Sequence, residues 1–180
     1  MFKKIIQCVR KIPFTGIIGK TFNYINAKLY MDYFNKYLKS LGVKMPNGDA
    51  NYISPDVYFD GNDYSIITIG KNCVISREVM LLTHDYSIAR AFEAIGVRKE
   101  FTSGVPHDIG EIVIGDNTFV GARVSVLLGS TIGKNCIIGA NSVIKGNIPD
   151  NSIVVGNPSK IIGKTDEWAS KRYAAQDYKL

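Results

Sequence analysis

The sequence predicts a mainly β protein, a parallel β-helix of hexapeptide repeats with helices at both ends. One observation is the recurrence of isoleucine or valine at every sixth residue, at Ile114, Val120, Val126, Ile132, Ile138 and Ile144. A second is the residue four places after each of these, which is mostly small or β-branched, at Thr118, Val124, Ser130, Cys136, Ser142 and Ile148. An α-helix does not fit this period, because the apolar positions would spiral around it.

Each repeat supplies one short strand and one corner of a triangular coil, so three repeats complete a turn of about 18 residues. The aliphatic residue stacks on its equivalents in neighbouring coils, and the small residue also points inward. Glycine or asparagine near each corner allows the left-handed backbone that a sharp bend requires. The template also fits earlier pairs in the chain, namely Ile69/Cys73, Ile75/Val79 and, more loosely, Ile53/Val57.

The three cysteines, Cys8, Cys73 and Cys136, form no CxxC pair, and their spacing indicates neither a metal site nor a disulfide framework. Cys73 and Cys136 occupy the small inward position of their repeats, where we expect compact core side chains. We predict a protein without a bound metal.

The repeat stops in the stretch LLTHDYSIAR, residues 81–90, and resumes at Ile114. A non-repeating segment as long as the excursion loop, residues 85–111, is commonly functional in a compact domain. Its first part has apolar residues at helical spacing and predicts a short helix, with Ile88, Ala91, Phe92 and Ile95 on one face. The loop either projects over a groove of a neighbouring subunit or packs on its own coil.

Positive charge is concentrated at the N-terminus. Residues 1–44 hold nine Lys/Arg and one acid, a net of +8 against +6 for the whole chain. A nucleic-acid-binding fold would spread this charge, so we predict no nucleic-acid partner. Helical patterns cover residues 2–12 and about 20–41, the second with an apolar stripe of Phe22, Ile25, Leu29, Tyr33 and Leu41. The segment 1–44 either contacts an anionic membrane surface or packs on the β-helix with solvated lysines.

No apolar run reaches the roughly 18 residues of a transmembrane helix. We therefore expect a cytoplasmic protein, which could also associate with the inner face of the membrane. The predicted organisation is a basic helical segment at 1–48, a β-helix domain at 49–163 and a C-terminal helix at 164–180. The last helix begins at Thr165-Asp166-Glu167, with acids in its first turn, and Trp168 is expected to pack against a neighbour.

Four stretches together resemble the hexapeptide-repeat acyltransferases, in particular the galactoside, maltose and capsular-polysaccharide O-acetyltransferases. They read THD at 83–85, IGDNTFVGA at 114–122, IGANSVIK at 138–145 and VGNPSK at 155–160. The resemblance covers about half the chain. It implies a left-handed β-helix, a homotrimer with active sites between subunits, acetyl-CoA as co-substrate, and acetyl transfer to a hydroxyl of a carbohydrate or lipid-linked glycan.

His84 matches the catalytic histidine of this family, and an imidazole suits general-base chemistry at neutral pH. Asp85 is a candidate to orient the ring, as a triad acid would, although a backbone carbonyl could do the same. His107 either lines the acceptor pocket or is a solvated loop residue, and the latter is favoured. Asp56, Asp60 and Asp63 lie on earlier coils and could bind sugar hydroxyls, but corner carboxylates are usually only solvated.

The resemblance also implies the residues that bind CoA. The backbone amides of Ala122 and Ala140 would lie beside the pantetheine arm and adenine, and Ala122 could meet the thioester oxygen. Lys145 and Lys160 match basic positions that meet phosphates. Phe119 stands where many relatives have tryptophan, as a wall of the groove. Gly163 replaces a basic residue of some relatives.

Two alternatives to O-acetylation remain open from the sequence: N-acetylation of an amino sugar, and a β-helix scaffold without catalysis. A zinc enzyme on the same β-helix would require three histidine ligands, and the chain contains two histidines.

Overall fold

A computed structural model describes residues 26–97 and 104–179. The predicted helix at 2–12, and the start of the predicted helix at about 20–41, lie outside these ranges.

The described residues form sixteen short strands, of which thirteen wind into a triangular coil with three parallel faces. Sheet I contains, in spatial order, β1 (Tyr52–Ile53), β4 (Val74–Ile75), β9 (Phe119–Val120), β12 (Ile137–Ile138), β15 (Ser152–Val155) and β16 (Lys160–Lys164). Sheet II contains β2 (Tyr58–Phe59), β5 (Met80–Leu82), β10 (Ser125–Leu127) and β13 (Val143–Ile144). Sheet III contains β3 (Ile67–Ile69), β8 (Ile112–Ile114), β11 (Thr131–Ile132) and β14 (Asn147–Ile148). A separate antiparallel pair is formed by β6 (His84–Asp85) and β7 (Asp108–Ile109).

The strand register confirms the coil length that the repeat predicts. Ile114 pairs with Ile132, and Val126 pairs with Ile144, so successive coils lie 18 residues apart. Ile132 pairs with Ile148, only 16 residues further on, because the last corner between sheets II and III is two residues shorter. Ile148 is therefore the first inward residue of a sheet III strand and not the small residue of the preceding repeat.

The core is the stack of inward positions. The aliphatic positions of the repeats are at most 1% exposed, and so are the small positions Cys73, Thr118, Ser130, Cys136 and Ser142. Burial raises the pKa of both core thiols, as expected for structural cysteines. The left-handed corner conformation falls mostly on asparagine, at Asn72, Asn117, Asn135, Asn141 and Asn151, which tolerates it better than most side chains.

One helix closes the N-terminal end of the coil. Helix α1 (Ala27–Leu41) begins after Asn26, whose side chain accepts a hydrogen bond from the Leu29 amide, and ends at Gly42 with a left-handed backbone. Its buried face is formed by Tyr30, Phe34 and Leu38. The predicted stripe was wrong at Leu29 and Tyr33, which are both more than half exposed, whereas Leu41 packs against the core. Within the described ranges, no helix has the length and apolarity needed to cross a membrane.

The chain joins the coil soon after this helix, because Lys44 pairs with Thr68 of β3. The short helix predicted in the excursion is confirmed as α2 (Ser87–Ala94). The C-terminal helix is confirmed as α3 (Thr165–Ala174), and β16 pairs antiparallel with β15 just before it, which the repeat did not predict. No side chain of α3 is buried against the described chain, and Trp168 is 47% exposed.

Candidate active site

His84 lies where the coil opens into the excursion. It follows β5 and the buried Thr83, and it begins β6, where it pairs with Ile109 of β7. The hairpin of β6 and β7 fixes its backbone from one side and the coil from the other. Its side chain is 13% exposed, so one edge of the imidazole remains accessible.

A carboxylate from the preceding coil holds the ring. Asp60 directly follows β2, which pairs with β5, so it reaches the same corner as His84. Its Oδ2 accepts a hydrogen bond from the His84 amide at 3.0 Å and lies 3.4 Å from His84 Nδ1. Thr83 Oγ1 lies 2.8 Å from the same Nδ1. Within the described chain, Nε2 has no hydrogen-bond partner, so this nitrogen is left to meet a substrate proton.

Asp85 does not take the orienting role predicted for it. Adjacent residues of a strand face opposite sides, and the Asp85 carboxylate instead accepts a hydrogen bond from the Ser87 amide at 2.8 Å, at the start of α2. This hydrogen bond lowers the pKa of Asp85, with a smaller contribution from Lys145. The acid that faces the imidazole is Asp60, which the sequence presented as one of three corner carboxylates.

Gly61 packs against the His84 ring at Cε1. A Cβ atom at this position would lie 2.4 Å from His84 Cε1, and the residue has φ +71°, in the left-handed region. Glycine satisfies both constraints at once. Asp60 and Gly61 together therefore fix the ring from the coil below.

His107 joins this corner and is not an isolated loop histidine. Its ring centroid lies 5.5 Å from that of His84 and 4.7 Å from that of Tyr86. His107 is exposed and lies outside the strands, as the interpretation favoured from sequence has it. Its contact with His84 was not predicted, because it depends on the hairpin register, which a segment without a repeat does not reveal.

The predicted CoA-binding alanines lie at a different corner. Ala122 and Ala140 occupy successive turns between sheets I and II and line an open groove of about 200 Å³, which we call the alanine groove; its other lining residues are Arg77, Glu78, Arg123 and Asn141. Glu78 and Arg123 form an exposed ion pair at 2.6 Å across two coils. Both have positive φ, at 58° and 60°, which is uncommon for charged residues.

The backbone amides of Ala122 and Ala140 make no hydrogen bond within the described chain. The equivalent backbone amides at the corner between sheets III and I are satisfied. The Lys71 amide donates to Asp116 Oδ1 at 2.9 Å, and the Lys134 amide donates to Asp150 Oδ1 at 2.7 Å. The alanine corner has no such carboxylate. Two unpaired donors beside small side chains form a surface to which an amide or carbonyl ligand can hydrogen-bond.

The remaining predicted residues are distributed around the coil. Phe119 lies on the outer face of sheet I, between Val74 and Ile137, and is 42% exposed. Lys160 is exposed on β16, opposite Val155. Lys145 follows β13 and lies at the His84 end of sheet II, near Asp85. The structure therefore does not bring Lys145 to the same corner as Ala122 and Ala140.

His84 and the alanine groove are separated by one strand of the coil. Ala122 is level with Arg77, since the Arg123 amide donates to the Arg77 carbonyl. His84 is seven residues further along the chain than Arg77, across sheet II, which at about 3.3 Å per residue corresponds to roughly 20 Å. A base and its reacting atoms must approach within about 3 Å. One chain alone does not bring this histidine and this groove together.

Comparison with known proteins identifies the family. The sequence profile described as bacterial transferase hexapeptide (six repeats) matches residues 111–146. WbbJ of Escherichia coli K12, named as an O-acetyl transferase of lipopolysaccharide biosynthesis, is 32% identical over 176 residues, spanning 88% of this chain and 87% of that protein. The chain belongs to the hexapeptide-repeat acetyltransferases. YvoF of Bacillus subtilis 168, named as an acetyltransferase, is 26% identical over 89% of this chain and 84% of its own length.

Solved structures of this family share the fold. A maltose O-acetyltransferase from Clostridium difficile 630 superposes with a TM-score of 0.55 at 24% identity, over 74% of this chain and 75% of that chain. A hexapeptide-repeat acetyltransferase from Vibrio cholerae, complexed with acetyl-CoA, gives 0.54 at 25% identity, over 69% and 61%. The coil is therefore the left-handed β-helix of these enzymes, as the resemblance implied, and the chain is an acyltransferase.

Proposed function

We propose that the protein is an acetyl-CoA-dependent O-acetyltransferase that acetylates a hydroxyl of a carbohydrate acceptor, with His84 as general base. The main support is the arrangement at His84, where Asp60 and Thr83 hold Nδ1 and leave Nε2 without a partner in the described chain. The O-acetyl transferase name of WbbJ supports oxygen as the acceptor atom. The acetyl-CoA complex of the Vibrio cholerae relative supports the donor.

The chemistry follows from these groups. Nε2 of His84 takes the proton of the acceptor hydroxyl while the oxygen forms a bond to the thioester carbonyl carbon. The unpaired amide of Ala122 can donate to the carbonyl oxygen as negative charge develops on it. The carbon–sulfur bond then breaks, and the imidazolium returns its proton to the CoA sulfur. Asp60 stabilises the imidazolium between these two transfers.

The roughly 20 Å between His84 and the alanine groove supports a homotrimer in which His84 of one subunit serves the groove of its neighbour. Phe119 would then form a wall of that shared site, and Lys145 and Lys160 would supply charge for the CoA phosphates. In cyclic oligomers, each interface repeats, so a trimer would contain three such sites.

Acetyl transfer to a defined panel tests the function. The protein is incubated with labelled acetyl-CoA and 4-nitrophenyl glycosides of glucose, galactose, mannose and N-acetylglucosamine, and with glucosamine. The expected product is a glycoside carrying one acetyl ester, which mild alkali removes. An alkali-stable product on glucosamine alone would favour N-acetylation, and no transfer to any acceptor, with CoA bound, would favour a scaffold.

Complementation tests the shared site. His84→Ala removes the base, and Ala140→Trp fills the groove, so each variant alone should be inactive. If sites form between subunits, co-expression should recover about a quarter of wild-type activity, because random mixing pairs an intact histidine with an intact groove at that frequency. Sites confined to one chain would give no recovery.

The membrane contact of residues 1–44 and the cytoplasmic location stay predictions. Co-sedimentation with anionic liposomes tests the first, since deletion of residues 1–19 should weaken binding if the basic segment makes the contact. Binding that is unchanged by the deletion would contradict it.

A further inference from the structure

The hairpin of β6 and β7 sets a second histidine beside the first. His84 pairs with Ile109 and Asp85 pairs with Asp108, so the next residues in line are Tyr86 and His107. Alternate residues of a strand share a face, which places Tyr86 on the same side as His84. The ring geometry agrees, because His84 and Tyr86 are nearly parallel at 6.4 Å and Tyr86 and His107 stack at 4.7 Å.

The hydrogen bonding of His107 leaves one nitrogen for a ligand. Its Nδ1 lies 3.0 Å from the carbonyl oxygen of Val105. A carbonyl oxygen can only accept, so Nδ1 carries the proton and Nε2 of the neutral ring is an acceptor. His84 has the same arrangement, with Nδ1 engaged by protein groups and Nε2 unpaired in the described chain.

Two imidazoles with ring centres 5.5 Å apart, each with an available Nε2, can bind two neighbouring oxygens of one small molecule. We propose that His107 binds the acceptor hydroxyl adjacent to the one that His84 activates, so that the preferred acceptor carries two adjacent hydroxyl groups. This proposal rests on the proposed function and names its substrate class as a vicinal diol. Tyr86 is a positioning residue that holds the His107 ring by stacking.

Under this proposal, the excursion loop selects its acceptor through one hydrogen bond, from the adjacent hydroxyl to His107. A site that hydrogen-bonds one hydroxyl discriminates against the analogue that lacks it, because the binding group is left unpaired. His107 is exposed, so the discrimination is smaller than in an enclosed pocket. We expect a loss of roughly 10-fold in kcat/KM when either the histidine or the adjacent hydroxyl is removed. Removing both the histidine and the adjacent hydroxyl should lower kcat/KM little more than removing either one.

The test pairs enzyme variants with deoxy acceptors. Acetyl transfer is measured for wild type and His107→Ala on 4-nitrophenyl β-galactoside, β-glucoside and α-mannoside and on their monodeoxy analogues. The expected result is a roughly 10-fold lower kcat/KM of His107→Ala on the intact glycoside, mainly through a higher acceptor KM. The KM for acetyl-CoA should not change. For one deoxy analogue, wild type and His107→Ala should have the same kcat/KM.

Matched variants separate binding from structure. His107→Gln keeps an acceptor oxygen near the position of Nε2 and should recover part of the loss. Tyr86→Phe should retain activity and Tyr86→Ala should resemble His107→Ala. Asp108→Asn lies on the opposite face of the hairpin and serves as the control with unchanged kinetics.

Two outcomes would overturn the inference. One is a His107→Ala enzyme as active as wild type on the intact glycosides, and the other is an equal loss on intact and every deoxy acceptor. Wild-type protein that acetylates none of the glycosides would contradict the carbohydrate acceptor itself, together with the inference that rests on it.

Discussion

Replacement of Asp60 by asparagine removes the charge that faces His84. The substitution keeps the shape and one oxygen, so the hydrogen bond that Asp60 Oδ1 accepts from the Gly61 amide at 2.8 Å can remain. What is lost is the negative charge 3.4 Å from His84 Nδ1, together with the hydrogen bond that Oδ2 accepts from the His84 amide. The ring then becomes a weaker base in the transition state, when it carries the proton.

The distance gives the size of this effect. Two unit charges 3.4 Å apart attract by about 5 kcal/mol at an effective dielectric constant near 20, and both side chains are at least four-fifths covered. Charge delocalisation over both groups makes this an upper limit. A positioned general base contributes roughly 10²–10⁴-fold to rate. We therefore expect Asp60→Asn to lower kcat by about 10²-fold, with the KM for acetyl-CoA unchanged.

Asp85→Asn is the matched control. Its side chain can still accept from the Ser87 amide, and it lies off the imidazole, so kcat should stay within about threefold of wild type. Both variants are compared by CoA release under saturating acetyl-CoA, with circular dichroism to verify folding. A larger loss from Asp85→Asn than from Asp60→Asn would refute the assignment of the orienting acid.

Three further changes test the scaffold. Gly61→Ala should displace the His84 ring and lower kcat by about 10²-fold, and wild-type turnover in this variant would contradict the packing against the ring. Ile138→Ala should lower the free energy of unfolding in urea by about 2–5 kcal/mol. Ile137→Ala, at the outward neighbour, should lower this free energy much less. Equal losses in the two variants would argue against the inward stack. In a Cys8→Ser variant, the two core thiols should not react with a thiol reagent at pH 7 until denaturant is added, since burial raises their pKa. Rapid reaction of the native protein would contradict that burial.

The period of the sequence was sufficient to predict the coil, its inward positions and its left-handed corners, because each is a local consequence of six residues. The shortened corner before Ile148 broke this period by two residues and was missed. The buried face of α1 was placed on Leu29 and Tyr33 instead of Tyr30 and Phe34, since aromatic residues occupy both faces of this helix.

The site was predicted less completely, because its contacts join coils and do not follow the repeat. Asp60 reaches His84 because Phe59 pairs with Leu81, 22 residues further along the chain. The repeat predicts an offset of about 18 residues, so this contact was missed. The contact of His107 depends on the hairpin register of the excursion, for which the sequence contains no periodic signal. Asp85 was a candidate as the residue next to His84 in sequence, and adjacent strand residues face apart.

The rate of acetyl transfer by His84→Ala, measured beside its affinity for CoA, is the decisive test of His84 as the general base. We expect a kcat lower by roughly 10²–10⁴-fold. The dissociation constant for CoA in calorimetry should be unchanged, because the alanine groove is a separate corner of the chain. Transfer at the wild-type rate would contradict His84 as the base.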